Sequence, residues 1–197
     1  MGDARQLWVL AGADGAGKST FYDLFLRDAG ITFVNADLIA HSIAPESPVA
    51  ASYAAAEIGA QIRDALLEQG ASFCFETVFS HPSKVDFLAR AKMLGYAIVV
   101  VFIHLDDPQL NVARVAQRVA QGGHKVPEDK IRSRIPRTLD LVREAVGMAD
   151  EIFLLDNSSA DDPFVRVATI QRDRVVRHVD PLPAWAARLL GSRTELG

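Results

Sequence analysis

Residues 12–19 read Gly-Ala-Asp-Gly-Ala-Gly-Lys-Ser and lie between the apolar run Leu7–Ala11 and a segment with helical spacing, Ser19–Asp28. The octapeptide matches the pattern G-x-x-x-x-G-K-[ST] at every fixed position. Glycines in a turn from strand to helix let successive backbone N–H groups form a concave nest, where phosphate oxygens bind at the helix N-terminus. A glycine-rich turn with an incidental lysine is the alternative, and the agreement of pattern and context argues against it. The stretch predicts a P-loop that binds a nucleotide.

The polar positions of this loop carry the predicted chemistry. Lys18 is expected to lie along the β and γ phosphates, and the Ser19 hydroxyl is expected to ligate Mg²⁺. The residues predicted to bind the nucleotide are Gly12, Ala13, Asp14, Gly15, Ala16, Gly17, Lys18, Ser19 and Thr20. Asn157, which follows a later apolar run, fits either the edge of the adenine pocket or a plain Asx turn.

Short apolar runs alternate with longer amphipathic ones along the rest of the chain, which predicts an α/β fold with a parallel sheet. The predicted strands are Leu7–Ala11, Ile31–Asn35, Ser72–Glu76, Tyr96–Leu105 and Glu151–Leu155, with a terminal hairpin of Val165–Ile170 and Val175–Val179. The predicted helices are Ser19–Asp28, Ser47–Glu68, Ser83–Leu94, one from Asp107-Pro108 to Gly122-Gly123, Asp129–Met148 with an interruption near Pro136, and Trp185–Leu190. We expect one domain over residues 1–197, with the hairpin and short helix at about 164–191.

Composition and charge exclude several classes of protein. The chain has 197 residues, 49% of them hydrophobic and 23% charged, with a net charge of −4. This excludes intrinsic disorder and argues against a general nucleic-acid binder, which needs a basic surface. Cys74 is the only cysteine, so an intrachain disulfide cannot form, and its apolar neighbours indicate a buried small side chain. The longest apolar run, Ala97–Ile103, is far shorter than the ~20 residues that span a bilayer, and the N-terminus has no secretion signal pattern. We expect a cytoplasmic protein without a membrane segment.

A basic segment at residues 114–143 predicts a helical lid. It contains eight Lys and Arg residues against three Asp and Glu, so it carries +5 in an acidic chain. Arginines that close over a transferring phosphoryl group stabilise its negative charge, and Arg118 and Arg134 are the candidates for this role. The Gly122-Gly123 pair fits a hinge between the two helices. A solvated helix face is the alternative, and it fits Arg132 and Arg143 better.

Two carboxylates are expected on the acceptor side of the P-loop. Asp37 follows the predicted second strand and Glu76 ends the third, and ligands of open α/β sheets bind beyond the carboxyl ends of the strands. Asp37 fits a general base for a substrate hydroxyl, and the alternative is a cap for a helix that begins at Leu38. Glu76 fits a partner of Lys18 or of metal-bound water. Thr77 is within reach of the substrate, or else is a turn residue.

Two other patterns bear on the class of nucleotide enzyme. The guanine-recognition pattern Asn-Lys-x-Asp is absent from the sequence, which argues against a GTPase. Leu105-Asp106 imitates the strand end that supplies a metal-binding carboxylate in many P-loop proteins. Because it runs into Asp107-Pro108, we interpret both aspartates as helix-capping groups.

Taken together, these motifs resemble the zeta toxin-like P-loop kinases, and more closely the short bacterial branch described as predicted ABC-type ATPases. The resemblance rests on the P-loop, on Asn35-Ala36-Asp37, Phe73-Cys74-Phe75-Glu76-Thr77, Gly122-Gly123-His124-Lys125-Val126-Pro127 and Asp156-Asn157-Ser158, over about residues 6–160. It implies a nucleotide-kinase-like fold with helices on both faces of a central parallel sheet and a helical lid. It also implies ATP and Mg²⁺ as cofactors and a sugar-nucleotide acceptor such as UDP-N-acetylglucosamine, which zeta toxins phosphorylate on a hydroxyl.

Residue by residue, the resemblance supports Lys18 as phosphate ligand and Asp37 as base. It implies that Glu76 and Thr77 lie at the acceptor, and that the lid contributes Arg118, His124 and Arg134. The chain departs from the family in the P-loop, where Ala13-Asp14 replaces the usual Pro-Asn and brings a carboxylate near the phosphates. The chain is also shorter than the zeta toxins; the resemblance leaves an antitoxin partner open, and nothing in the sequence itself supports one.

Three functional hypotheses follow from the sequence. The first is an ATP-dependent kinase that phosphorylates a hydroxyl of a small molecule, with a UDP-sugar as the implied acceptor. The second is a nucleoside or polynucleotide 5′-hydroxyl kinase. The third is an ATP-binding switch with incidental ATPase activity and a protein as its partner. A kinase needs the Asp37 carboxylate and the lid arginines, whereas a switch binds ATP without them.

Overall fold

A seven-stranded sheet forms the centre of the computed structural model, which describes residues 5–123, 125–172 and 174–191. Its strands are β1 (Gln6–Ala11), β2 (Thr32–Val34), β3 (Phe73–Thr77), β4 (Ala97–His104), β5 (Glu151–Asp156), β6 (Val165–Gln171) and β7 (Arg174–Arg177). The strand order is β2-β3-β1-β4-β5-β6-β7, with β1 to β5 parallel and β6 and β7 antiparallel. The predicted α/β class with a mostly parallel sheet is confirmed.

The helices connect these strands. They are α1 (Lys18–Phe21), α2 (Ala36–Ile43), α3 (Ser52–Glu68), α4 (Ser83–Met93), α5 (Pro108–Ala120), α6 (Glu128–Ala145) and α7 (Ala184–Leu190). A π-helical turn (Tyr22–Leu26) and a 3-10 turn (Arg27–Ala29) continue α1. Asp107 caps α5 as expected, because its side chain accepts a hydrogen bond from the backbone N–H of Gln109. Within the described residues, no helix has both the length and the apolar character to cross a membrane.

The expected interruption near Pro136 is wrong, since α6 runs through that position without a break. Proline in a helix interior removes one N–H donor and leaves the carbonyl four residues earlier without its partner. Pro136 lies on the exposed face of α6, where water can hydrogen bond to that carbonyl. The helix therefore accommodates the proline at this position.

Alternation along β1 divides the core between the two faces of the sheet. Leu7, Val9 and Ala11 join one apolar cluster, which α3, α4, α6 and α7 cover. Leu10 joins the second cluster with Cys74, against the helical turns that follow the P-loop. Cys74 is completely buried, which confirms it as a core side chain, and burial raises the pKa of its thiol.

The parallel strands bring the candidate residues to one edge of the sheet. The P-loop follows β1, Asn35 follows β2, Glu76 lies near the end of β3, and Asn157 follows β5. Glu76 is in register with Leu10, one residue before β1 ends. This is the carboxyl edge, where open α/β sheets bind their ligands.

Candidate functional site

The backbone of the P-loop approaches its neighbours more closely than any side chain would allow. Gly12 has a φ of 154°, and a Cβ there would lie 2.3 Å from the carbonyl oxygen of Ile103 on β4. Gly17 has a φ of 100°, and a Cβ there would lie 2.5 Å from Nδ2 of Asn157. Both positions therefore require glycine for space as well as for conformation.

Two amide side chains hold the carbonyl groups of the P-loop. Asn111 on α5 donates from Nδ2 to the carbonyl oxygen of Asp14 over 2.8 Å, and Asn157 donates from Nδ2 to that of Ala16 over 2.8 Å. Both asparagines are buried. These contacts fix the carbonyls with protein donors, which suits a loop whose N–H groups bind an anion. The sequence did not indicate Asn111, because nothing local marks one helical asparagine as a contact of a loop about 100 residues earlier.

Asn157 is thus a positioning residue of the P-loop as well as part of its cleft. Its Oδ1 also accepts a hydrogen bond from the backbone N–H of Phe164 over 3.3 Å. Its own carbonyl accepts a hydrogen bond from Nη2 of Arg114 on α5 over 2.9 Å. Both the nitrogen and the oxygen of the side-chain amide therefore hydrogen bond to the backbone. Asn157 thereby joins the P-loop to α5 and to the segment before β6.

Glu76 is the centre of the polar network beneath the P-loop. Its Oε2 accepts hydrogen bonds from Oγ of Ser19 and from Nδ2 of Asn35, each over 2.7 Å. Nζ of Lys18 lies 3.6 Å from Oε1 and donates a hydrogen bond to the carbonyl oxygen of Ala13 over 3.0 Å. Lys18 and Glu76 are only 6% and 15% exposed, so this charge pair lies in the protein and not on its surface. This contact fits the role of Glu76 as a partner of Lys18, and the role at metal-bound water stays a prediction.

Asn35 directly precedes α2, and its contacts decide whether Asp37 caps this helix. Its Oδ1 accepts hydrogen bonds from the backbone N–H groups of Asp37 and Leu38, over 2.7 Å and 3.1 Å. Asn35 is therefore the N-cap, and the alternative in which Asp37 caps this helix is wrong. The Asp37 carboxylate instead faces α5, where its Oδ2 lies 3.6 Å from Nη1 of Arg118.

The residues around Ser19 fit a magnesium ion. Mg²⁺ prefers oxygen ligands and in nucleotide sites usually takes one or two from the protein, the rest from phosphates and water. The Ser19 hydroxyl gives its hydrogen to Glu76, which leaves oxygen lone pairs for a cation. Glu76 adds a carboxylate next to that oxygen. Within the described residues, no group of three or more His, Cys, Asp and Glu side chains could bind a metal without a nucleotide.

The lid arginines reach the site from two helices. Arg134 on α6 makes an ion pair with Asp14 of the P-loop, with 3.0 Å between Nη1 and Oδ2. Arg118 on α5 faces Asp37, as described above. Arg132, by contrast, pairs with Glu128 on the same helix, as expected for a solvated face. The predicted lid residue His124 lies outside the described residues.

Two clefts meet at this edge of the sheet. The first, of about 400 Å³, lies between the P-loop, α5 and residues 157–164, and Ser19, Thr20 and Asn157 line it. The second, of about 330 Å³, lies between α2, α3, the end of β3 and the start of α4. The side chains that line both clefts are Lys18, Glu76 and Arg118. Of the predicted acceptor residues, Asp37, Glu76 and Thr77 all line the second cleft.

Thr77 lines the second cleft from a strained turn. Its Oγ1 accepts a hydrogen bond from the backbone N–H of Phe79 over 3.0 Å. Phe79 is fully buried with a φ of 59°, an unfavourable conformation for a bulky residue. Thr138 on α6 stabilises the same turn by donating to the carbonyl oxygen of Val78 over 2.9 Å. The turn thereby ties the wall of the second cleft to the helix that carries Arg134.

The ion pair between Asp14 and Arg134 leads to a prediction about nucleotide affinity. Replacement of Asp14 by asparagine removes a carboxylate from the phosphate loop and releases Arg134. In the wild type the phosphates compete with Asp14 for Arg134, and a partly exposed pair of this kind is worth up to about 1 kcal/mol. Because asparagine removes this competition, we expect the Asp14→Asn variant to bind ATP about fivefold more tightly in calorimetric titration. The control is Asp86→Asn, which makes the same change at an exposed position of α4 and should leave the affinity for ATP unchanged. Unchanged or weaker binding by Asp14→Asn would show that this carboxylate does not oppose the phosphates.

Comparison with known proteins gives one family and one fold. The model of the family described as zeta toxin matches residues 3–160. An uncharacterized protein of Haemophilus influenzae is 29% identical over 137 residues, which cover 66% of this chain and 97% of that protein.

Solved structures similar to this chain include two of the AvrRxo1-ORF1:AvrRxo1-ORF2 complex. The one with sulphate ions has a TM-score of 0.75 at 15% identity, covering 100% of this chain and 66% of the matched one. The one with ATP has a TM-score of 0.69 at 17% identity, covering 86% and 59%. A chain of the PezAT chromosomal toxin–antitoxin system of Streptococcus pneumoniae has a TM-score of 0.62 at 16% identity, covering 83% and 70%. This chain thus spans less than two thirds of the AvrRxo1 chains. At such low identities, the structural similarity shows a common fold.

Proposed function

The chain belongs to the zeta toxin family, and from this membership and its two joined clefts we propose that it is an ATP-dependent kinase that phosphorylates a hydroxyl of a small molecule. The family resemblance of its motifs favours a sugar nucleotide, such as UDP-N-acetylglucosamine, as the acceptor. An ATP-dependent kinase acts where ATP is available, so the proposed location is the cytoplasm.

The observation that carries this proposal is the sharing of Lys18, Glu76 and Arg118 by both clefts. Phosphoryl transfer needs the donor phosphate and the acceptor hydroxyl in line, on either side of the groups that stabilise the moving charge. An ATP-binding switch needs the first cleft alone. A second cleft that opens onto the P-loop lysine and contains a carboxylate supports a kinase over a switch.

Each side chain has a role in the proposed transfer. The acceptor hydroxyl oxygen bonds to the γ-phosphorus, the bond from that phosphorus to the β–γ bridging oxygen breaks, and ADP leaves with the electron pair. Asp37 accepts the hydroxyl proton. Lys18 holds the β and γ phosphates, while Arg118 and Arg134 face the charge on the equatorial oxygens. Ser19 and Glu76 would hold Mg²⁺, which neutralises phosphate charge when bound.

Features of the structural relatives support the cofactor and a protein partner. The AvrRxo1 complex has been solved with ATP, which supports ATP as the nucleotide of this chain. PezAT is a toxin–antitoxin system, so the proposal includes a protein that binds this chain as an antitoxin.

The experiment that tests the proposal is incubation of the protein with γ-labelled ATP and a metabolite extract, followed by mass spectrometry of the labelled product. We expect the label in one metabolite, at a position that carries a free hydroxyl before the reaction. Arg118→Ala should lower its formation by ~10²–10³-fold, because that guanidinium meets transition-state charge. Arg132→Ala, the matched change on the solvated face of α6, should have no effect.

Two outcomes would contradict the proposal. Release of labelled inorganic phosphate alone would favour the ATP-binding switch. Labelling of added nucleosides or of a 5′-hydroxyl oligonucleotide, without any labelled sugar nucleotide, would favour the alternative kinase class.

A further inference from the structure

Two cations form the wall of the second cleft away from the P-loop. Arg63 extends from α3 and Lys84 from the first turn of α4, and both line the cleft that also contains Asp37. Neither residue belongs to the motifs on which the family resemblance rests. Both side chains are partly buried. Two cations in the same partly buried wall are unfavourable unless an anion binds there.

Among the described residues, no carboxylate makes an ion pair with either cation, although the negative charge of Asp64 acts on both from a distance. The nearest acidic neighbour in sequence, Asp64, makes its ion pair with Arg90 on α4. The Arg63 guanidinium instead lies 5.1 Å from the ring centroid of Phe75 and 5.8 Å from that of Phe87. These rings fix the guanidinium in place without neutralising its charge. Within residues 5–123, 125–172 and 174–191, neither Arg63 nor Lys84 has a side-chain hydrogen bond or a salt bridge.

The electrostatics of the pair agree with an unmet need for an anion. Burial lowers the pKa of Arg63. Burial also lowers the pKa of Lys84, and the positive charge of Arg63 lowers it further. The Asp64 carboxylate opposes the shift of both groups without cancelling it. Both shifts mean that the surroundings disfavour the charged forms, and a bound anion would remove that penalty.

We propose that Arg63 and Lys84 form an anion subsite of the acceptor cleft, which binds a phosphate group of the acceptor alcohol. This inference rests on the proposed kinase function. A guanidinium and an ammonium on one cleft wall suit a phosphate group, whose two negative charges and several oxygens can pair with both cations. A single carboxylate would bring only one negative charge to the two cations. The phosphate anchors the acceptor at Arg63 and Lys84, and its hydroxyl reaches Asp37 in the same cleft.

The subsite is tested by anion binding, without any need to know the acceptor. The protein is first saturated with Mg²⁺ and a non-hydrolysable ATP analogue, which fills the P-loop, and inorganic phosphate is then titrated by calorimetry. We expect wild-type protein to bind phosphate, and Arg63→Met and Lys84→Met each to weaken that binding at least tenfold. Methionine keeps the apolar stem of either side chain and removes its charge. Lys92→Met, the same change on the exposed part of α4, should bind phosphate as wild type does.

The outcomes separate this inference from the kinase proposal. The subsite would be overturned if the loaded wild-type protein bound no phosphate. It would also be overturned if both variants bound phosphate as tightly as the wild type does. A transfer assay with a sugar and its phosphate ester as paired acceptors gives the second readout. Preference for the phosphate ester, lost in both variants, supports the inference, and preference for the neutral sugar overturns it while leaving the kinase function intact. Phosphate binding without transfer to any acceptor would instead contradict the kinase.

Discussion

Replacement of Lys18 by methionine is expected to reduce phosphoryl transfer from ATP by at least about 10³-fold, since it removes the cation that meets the β and γ phosphates. Lys18 is almost fully buried, and its ammonium contacts the Ala13 carbonyl and the Glu76 carboxylate, while its side chain lines the first cleft. Methionine preserves the hydrocarbon stem. The charge is therefore lost with little change in packing. Steady-state kinetics with labelled ATP measure the effect.

The folded state of the Lys18→Met variant should survive the change. Glu76 loses one cation but keeps its hydrogen bonds from Ser19 and Asn35, so its carboxylate remains solvated by protein donors. Circular dichroism should show the wild-type spectrum and one cooperative thermal transition. Lys92→Met serves as the matched control, and it should retain full activity because its partner Asp150 lies on the surface. Transfer by Lys18→Met at the wild-type rate would remove the P-loop from the mechanism.

The elements of the fold that the sequence predicts best are those defined by local chemistry. Strand β4 consists of the apolar run Ala97–Ile103 and His104. Asp107-Pro108 marks the start of α5, because Asp107 caps the helix and Pro108 has a preset φ, and neither effect needs a distant contact. The start of α3 was predicted at Ser47 and lies at Ser52. The N-cap of α3 is Ala51, which makes no side-chain capping hydrogen bond, so helical periodicity alone could not locate this boundary.

The site divides in the same way between local and distant information. The P-loop and the carboxylates after β2 and β3 could be located, because a motif and the topology of parallel strands determine their positions. The pairing of Asp14 with Arg134 joins residues 120 positions apart, and its partners can be identified only once α6 is packed against the loop. The same holds for Asn35, which both caps α2 and binds Glu76. Asn35 belongs to one of the motifs that carry the family resemblance, but the sequence alone does not distinguish a helix cap from a contact with Glu76.

Replacement of Asp37 by asparagine is expected to lower the turnover of the acceptor by about 10²–10⁴-fold while leaving ATP affinity unchanged. Asparagine keeps the shape of the side chain and its hydrogen-bonding reach, but it cannot accept the hydroxyl proton. Because Asn35 is the N-cap of α2, the change at position 37 leaves that cap intact. The ion pair with Arg118 is 3.6 Å long between half-exposed side chains, so its loss costs at most about 1 kcal/mol of stability.

The comparison that isolates the carboxylate of Asp37 uses Asp86→Asn, which makes the same chemical change in the first turn of α4, outside both clefts. Calorimetric titration of ATP and the rate of acceptor phosphorylation are measured on wild type and both variants. Loss of turnover in Asp37→Asn alone, with ATP affinity equal in all three proteins, assigns the proton transfer to Asp37. Weaker ATP binding with proportionate loss of rate would instead assign Asp37 to the positioning of Arg118. Wild-type turnover with asparagine at position 37 would exclude a general base there, and the second cleft would then need another proton acceptor to act as the site of a kinase.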